Sequence, residues 1–251
     1  MNYCKYCSKS FTNNVNFCSD CGKSLKKVNN DKSQTLSSII GFYILVLSFI
    51  GISGFIFDKF PQNLWVELIV EVLFIAIVLG FCSSNLKEIL PLYKFPKIKR
   101  GLYLKYIPFI CLFSVSVYFL VNELNSLIFP NQYINIVSDY IYLNNTFLWA
   151  FIFVAILPPI FEELAFRGIL YNQLSKITSL ESTIIATSML FALVHFSFIS
   201  IIWIFPFGLL LGYLRNKYNS LWIPMLVHFI HNFIVLILDY YFHFKEVLFA
   251  S

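Results

Sequence analysis

The sequence predicts an all-α polytopic membrane protein with about seven transmembrane segments, preceded by a small zinc-ribbon. Of its 251 residues, 59% are hydrophobic and only 12% are charged, whereas soluble domains average roughly 25% charged residues. One buried core cannot use so much apolar sequence, so the lipid bilayer must surround most of the chain. Lysines and arginines cluster between the apolar runs, which is typical of membrane topology, and no nucleic-acid partner is expected.

Four cysteines near the N-terminus predict that residues 1–25 form a zinc-ribbon. Cys4 and Cys7 make one Cys-x-x-Cys pair, and Cys18 and Cys21 make the second. Two such pairs can close a tetrahedron of thiolates around a structural zinc ion, whose binding would supply the folding energy that so short a segment lacks. Two disulfides are the alternative, but they require an oxidising compartment.

The apolar segments are separated by loops that alternate in charge. The loops before the first segment, between the second and third, and after the fourth and sixth contain lysine or arginine, whereas residues 122–142 contain neither. By the positive-inside rule, we expect a multi-pass protein of the cell membrane with its N-terminus in the cytosol. A break is expected near Phe196–Ser200, because the fifth and sixth segments meet almost without a loop. The predicted segments are 36–57, 64–84, 101–121, 143–161, 183–199, 199–214 and 220–240.

Two adjacent glutamates follow a pair of prolines in the fourth apolar segment. The prolines are expected to interrupt or restart the helix. Glu163 can form an ion pair with Arg167 one helical turn later, which leaves Glu162 free to face another group. The alternative is that 158–167 is a cytosolic loop with solvated charges. The apolar flanks argue against that alternative, because a charge at membrane depth costs roughly 2.5–3.5 kcal/mol and marks a functional site.

Imidazole and carboxamide groups occur at a similar depth on two other segments. At a rise of 1.5 Å per residue, Glu162 and His195 each lie roughly 20 Å from the hairpin that joins their segments. His228 and Asn232 lie roughly 14 and 20 Å along the last segment and share one face of it. The neighbouring His231 is expected to be structural or to support the site. Three segments that bring polar groups to one layer predict a shared functional site.

These residue types suit the hydrolysis of an amide by water. No serine or cysteine is placed against a histidine, so acyl-enzyme chemistry lacks its usual groups. A carboxylate and an imidazole can hold and deprotonate a water, and His and Asn side chains can donate hydrogen bonds to an oxyanion. A zinc site with Glu162, His195 and His228 as ligands is the rival mechanism. The residues alone leave both mechanisms open.

The polar residues resemble the motifs of the CAAX-protease and bacteriocin-processing family of intramembrane proteases, which includes the type II CAAX prenyl endopeptidases. All three family motifs occur in order: Glu-Glu-x-x-x-Arg as Glu162, Glu163 and Arg167, Phe-x-x-x-His as Phe191 and His195, and His-x-x-x-Asn as His228 and Asn232. The resemblance covers about residues 143–240. It departs from the family in span number, because the prenyl-processing members have about eight spans, and this leaves the substrate class open.

The resemblance implies an intramembrane endopeptidase that acts on a membrane-associated peptide or protein, surrounded by membrane lipid. It favours attack by water without an active-site metal. The implied roles are general base for Glu162, water binding for His195, oxyanion donors for His228 and Asn232, and a supporting ion pair for Glu163 and Arg167. Two other functions stay open, namely a non-catalytic scaffold or bacteriocin self-immunity factor, and a transporter or proton relay.

The predicted domain organisation follows from these segments. The zinc-ribbon is joined by a flexible linker to a set of N-terminal transmembrane helices, which precede the catalytic core and a short tail. The predicted boundaries are 1–25 for the ribbon, 26–35 for the linker, 36–142 for the N-terminal helices, 143–240 for the core and 241–251 for the tail.

Overall fold

The structure is a computed structural model that describes residues 2–3, 7, 10–11, 20–21, 30–96, 100–129 and 136–244. Almost all of these residues are helical. Short 3₁₀ turns occur at Leu90–Tyr93 and Ser138–Tyr140, and a π-helical turn at Tyr240–Phe244 extends the last helix. The helices are α1 (Asn30–Lys59), α2 (Leu64–Ser83), α3 (Leu86–Ile89), α4 (Arg100–Ile128), α5 (Thr146–Ser175), α6 (Leu180–Leu193), α7 (Phe198–Tyr218) and α8 (Trp222–Asp239).

Five helical stretches in the described part of the chain are long and apolar enough to cross a membrane. The prediction of a helical, multi-pass membrane protein is therefore confirmed. The other two long helices are α6, which is apolar but has only 14 residues, and α7, which has Arg215 and Lys217 in its last turn. The total of seven spans stays a prediction. The five candidate spans are Lys32–Lys59, Leu64–Ser83, Tyr106–Ile128, Thr146–Ser175 and Trp222–Phe242.

The N-terminal segment contains a small sheet. Asn2–Tyr3 pairs antiparallel with Ser10–Phe11. Cys4 and Cys18 lie outside the described residues. The zinc-ribbon therefore stays a prediction.

Two helices extend into the segments predicted as the linker and the tail. The linker predicted over 26–35 is already helical from Asn30 onward. Once an apolar run has nucleated a helix, each added residue gains a hydrogen bond, so polar residues extend the helix beyond the lipid-facing stretch. The last helix likewise continues, as a π-helical turn, through Tyr240–Phe244 into the tail predicted over 241–251.

The predicted break between the fifth and sixth segments is present between α6 and α7. Helix α6 ends at Leu193, and α7 begins at Phe198. Phe196 has a φ of 49°, in the left-handed region. That conformation costs of order 1–3 kcal/mol for a non-glycine residue.

Two glycines allow α7 to approach its neighbours closely. A Cβ atom on Gly208 would lie 3.0 Å from Ser188 Cβ and 3.3 Å from Arg167 Nη2, and one on Gly212 would lie 3.1 Å from Ile184 Cγ2. Both glycines therefore face α6, and their four-residue spacing places them on one face of α7, where they allow close packing.

We expect Gly208→Ala to lower the free energy of unfolding by about 1–3 kcal/mol, because the added methyl group overpacks a tight contact. The added Cβ atom would also lie 3.2 Å from Ser188 Cα, a backbone atom that cannot rotate away. Gly80→Ala in α2 is the matched control, because a Cβ there meets nothing within 4 Å. Thermal unfolding of the two variants in detergent tests this expectation, and equal stability would contradict it.

Candidate active site

One cavity of about 290 Å³ lies among α5, α6, α7 and α8. Glu162, His195, His228 and Asn232 all line it. The structure therefore brings together the four side chains that the sequence predicted to meet from three separate segments. Most of the remaining wall is aliphatic and aromatic, so these polar groups face a confined space with apolar surroundings.

Glu163 and Arg167 form the buried ion pair expected from their spacing. Arg167 Nη1 donates to Glu163 Oε1 at 3.0 Å, and both side chains are 0% exposed. Arg167 Nη2 also donates to the Gly208 carbonyl at 3.1 Å, and the guanidinium lies 4.3 Å from the centre of the Phe191 ring. The alternative of a solvated loop over 158–167 is therefore wrong.

His228 lies between the two adjacent carboxylates. Its Nδ1 is 3.0 Å from Glu163 Oε1, and its Nε2 is 3.9 Å from Glu162 Oε2. A carboxylate only accepts hydrogen bonds, so Nδ1 carries a hydrogen, and Glu163 fixes the orientation of the ring. The spacing of Glu163 and Arg167 predicted only their ion pair, and this contact was not predicted because it joins residues 65 positions apart.

His195 follows the last turn of α6 and is anchored to the backbone of that helix. Its Nδ1 lies 2.8 Å from the Phe191 carbonyl oxygen. Because a carbonyl can only accept, Nδ1 carries the hydrogen, and Nε2 has the lone pair in the neutral side chain. The four-residue spacing of Phe191 and His195 thus has a local function, since the first residue holds the ring of the second.

Asn232 supplies a hydrogen bond that the proline pair in α5 cannot make. Its Nδ2 donates to the Val154 carbonyl oxygen at 2.9 Å. In a helix this oxygen would accept from the residue four or five positions later, but Pro158 and Pro159 have no N–H. The prolines do not end the helix: α5 continues through them, with π-helical turns before and after, and its α-helical part restarts at Leu157 with the prolines in the first turn. Of the two expected outcomes, interruption or restart, the structure has the restart. Asn232 satisfies the oxygen that the prolines leave without a helical donor.

Two further polar side chains line the same cavity. One is His231, which the sequence predicted to be structural or supporting. The other is Trp203 on α7, which sequence analysis did not single out, since a lone tryptophan in an apolar helix has the same pattern as a packing residue.

The side chains that could bind a metal are not grouped together in the described part of the chain. No three His, Cys, Asp or Glu side chains within it are grouped closely enough to hold a metal ion. Glu162, His195 and His228 therefore share a cavity without the close grouping that a three-ligand zinc site requires. In the N-terminal segment, Cys7 and Cys21 are exposed, and their predicted partners Cys4 and Cys18 lie outside the described residues.

Residues 144–234 match the family model described as "Type II CAAX prenyl endopeptidase Rce1-like". The matched segment runs from the residues just before α5 into α8, and it contains all three motifs. Comparison with curated proteins and with solved structures gives no match.

Proposed function

Because residues 144–234 form a domain of the Rce1-like type II CAAX prenyl endopeptidase family, we propose that the chain is an intramembrane endopeptidase. It hydrolyses a peptide bond in a membrane-associated peptide or protein. The observation on which this proposal rests is that the two adjacent carboxylates have different surroundings. Glu163 is bound to Arg167 and His228, whereas Glu162 lines the cavity and faces His228 Nε2 at 3.9 Å.

In this mechanism Glu162 is the general base. The 3.9 Å between Glu162 Oε2 and His228 Nε2 is too long for a direct hydrogen bond, but one water to the side of the line that joins these atoms can contact both. A water placed there gives a proton to Glu162 as its oxygen attacks the scissile carbonyl carbon. His195 orients the water through its Nε2 lone pair, since its Nδ1 is held by the Phe191 carbonyl.

His228 and Asn232 stabilise the oxyanion of the tetrahedral intermediate. A protonated His228 donates from Nδ1 to Glu163 and from Nε2 into the cavity, and the Glu163 carboxylate supports its positive charge. Asn232 has two amide hydrogens, one of which binds the Val154 carbonyl. The second is the one that the mechanism assigns to the oxyanion. Glu162 then returns its proton to the leaving amine, which completes the hydrolysis.

This mechanism contains no step through a metal. The incomplete donor grouping supports direct attack by water over a zinc-bound hydroxide, and zinc is assigned only to the N-terminal ribbon. The metal analysis described below separates the two mechanisms.

We also propose that α6 and α7 lie within the membrane, which gives seven membrane segments with the N-terminus in the cytosol. The support is that α6 and α7 pack together through Gly208 and Gly212 and that they carry cavity residues between flanking spans. The proposed setting is the cell membrane, with lipid around the outer helical faces.

Cleavage by the purified full-length chain in proteoliposomes tests the function. The probes are two internally quenched peptides that end in the same CAAX sequence, one farnesylated and one not. Cleavage is followed by fluorescence, and the bond is located by mass spectrometry. We expect cleavage, and the ratio of the two rates measures any dependence on the prenyl group. Intact peptides of both kinds after long incubation would contradict this proposal and favour a non-catalytic scaffold.

Metal analysis gives a separate prediction for the ribbon. We expect one zinc per chain, lost in Cys7→Ser because three thiolates hold zinc less tightly than four. The same single zinc should remain in His195→Ala, because the proposed cavity mechanism needs none. Elemental analysis of purified protein gives the stoichiometry. A second equivalent of metal that disappears with His195→Ala would show that the cavity holds a metal.

A further inference from the structure

Two side chains that line the cavity each have a buried nitrogen atom without a hydrogen-bond partner in the described part of the chain. These atoms are His231 Nε2 and Trp203 Nε1. Both side chains line the cavity that contains Glu162, and their ring centres are 5.1 Å apart. Neither residue belongs to the three family motifs. A buried polar atom left unpaired costs about 1–3 kcal/mol, so such atoms usually have a purpose.

The hydrogen bonds of Ser114 determine which of these atoms accepts. Ser114 Oγ donates its only hydrogen to the Ile110 carbonyl at 2.8 Å. The same oxygen lies 3.0 Å from His231 Nδ1, so it must accept there, and Nδ1 carries the hydrogen. Neutral His231 is therefore an Nδ1–H tautomer whose Nε2 presents a lone pair. The buried environment of the ring, which is 1% exposed, favours this neutral form.

Trp203 supplies a hydrogen-bond donor beside the acceptor of His231. The indole Nε1–H is a donor only, and it belongs to α7, whereas His231 belongs to α8. The Phe207 ring packs against both, with its centre 4.5 Å from that of His231 and 6.4 Å from that of Trp203. One donor and one acceptor are thus held side by side by an aromatic cluster that restricts their movement.

We propose that Trp203 and His231 bind the backbone N–H and C=O of one substrate residue next to the scissile bond. In an extended chain these two groups of one residue point to the same side, so the N–H can donate to the imidazole Nε2 and the C=O can accept from the indole N–H. This pairing suits an extended peptide, whose amides are not engaged in a helix. The inference rests on the proposed endopeptidase function and names two substrate-binding residues for it.

A second cavity shows where the substrate chain continues. Its volume is about 160 Å³, and Ile136, Trp203 and Val235 line both it and the cavity of Glu162. Its wall includes the polar side chains of Asn122, Asn125 and Asp239. We expect a peptide that passes Trp203 to continue into this cavity, where the side chains of Asn122 and Asn125 lie on the wall.

Two substitutions of His231 separate substrate binding from a structural role. His231→Asn keeps a polar atom near Ser114 but removes the group at the Nε2 position, whereas His231→Gln keeps an acceptor near the Nε2 position and loses the contact with Ser114. For cleavage of the farnesylated CAAX peptide, we expect His231→Asn and Trp203→Phe each to raise KM about five- to tenfold. His231→Gln should stay closer to the parent KM. The reverse order, or no change in KM for His231→Asn and Trp203→Phe, would overturn the inference.

Amide-to-ester analogues of the same peptide identify the bound group. Each analogue replaces one amide N–H beside the scissile bond, and binding to the inactive Glu162→Gln protein is measured by fluorescence anisotropy. We expect one ester to weaken binding to that protein about fivefold and to have no further effect when His231→Asn is added. Binding that is insensitive to both His231→Asn and Trp203→Phe would overturn this inference alone. Binding that weakens in both variants while the parent chain never cleaves would support the inference and refute the endopeptidase function. Absence of any binding would overturn both.

Discussion

Replacement of Glu162 by glutamine is expected to lower kcat for the peptide probe by about 100- to 10,000-fold, the usual contribution of a general base. KM should change little, because glutamine has the same shape and still lines the cavity. The loss is specific to proton transfer: an amide oxygen can hold the water but cannot take its proton. Steady-state cleavage in proteoliposomes at varied peptide concentration gives kcat and KM separately.

Glu181→Gln is the matched control for this experiment. Glu181 is an exposed carboxylate in the first turn of α6 and has no part in the proposed mechanism, so its activity should equal that of the parent. If Glu162→Gln retained full activity while Glu181→Gln behaved as expected, Glu162 would not be the base. The hydrolytic role of the cavity would then have to be assigned to another group.

Part of the site could be predicted from sequence because two of its contacts are local. Glu163 and Arg167 are one helical turn apart, as are Phe191 and His195. A spacing of four residues places two side chains on one helical face, whatever the rest of the fold does. The cost of charge in lipid then indicates that such residues point toward one another.

Contacts between distant helices could not be predicted in the same way. The bond between His228 and Glu163, and that between Asn232 and the Val154 carbonyl, depend on how α8 lies against α5. Nothing in the spacing of residues specifies that register. The prolines in α5 indicated a change in the helix but not which group satisfies the freed carbonyl oxygen, because that group lies on another helix.

Helix limits were predicted less well than helix positions. The apolar runs locate the helices correctly, but α4 and α5 extend beyond the predicted 101–121 and 143–161. Hydropathy reports where a segment meets lipid, whereas the backbone hydrogen-bond ladder continues into polar sequence. The short α6 shows a different limit of hydropathy. Its apolar run predicts a helix but does not show whether that helix spans the bilayer.

The other large expected effect concerns the buried ion pair. Arg167→Met should lower the free energy of unfolding by about 3–5 kcal/mol, because it leaves the fully buried Glu163 carboxylate without its cation. At 2–4 °C per kcal/mol, the melting temperature in detergent should fall by at least about 6 °C. The double variant Glu163→Gln/Arg167→Met should recover much of this loss, since most of the penalty comes from the unpaired charge and little from the missing bond.

Lys176→Met is the control for loss of an ion pair as such. Lys176 Nζ lies 2.7 Å from Glu88 Oε1, but the two side chains are 39% and 43% exposed, so water replaces the partner and the expected change is within about 1 kcal/mol. Equal destabilisation by Arg167→Met and Lys176→Met would refute the argument from burial. Activity gives a second readout, because Glu163 also holds His228 Nδ1. The double variant should therefore fold but cleave the peptide more slowly than the parent. The reason is that the His228 ring, which stabilises the oxyanion, has lost the Glu163 carboxylate beside it.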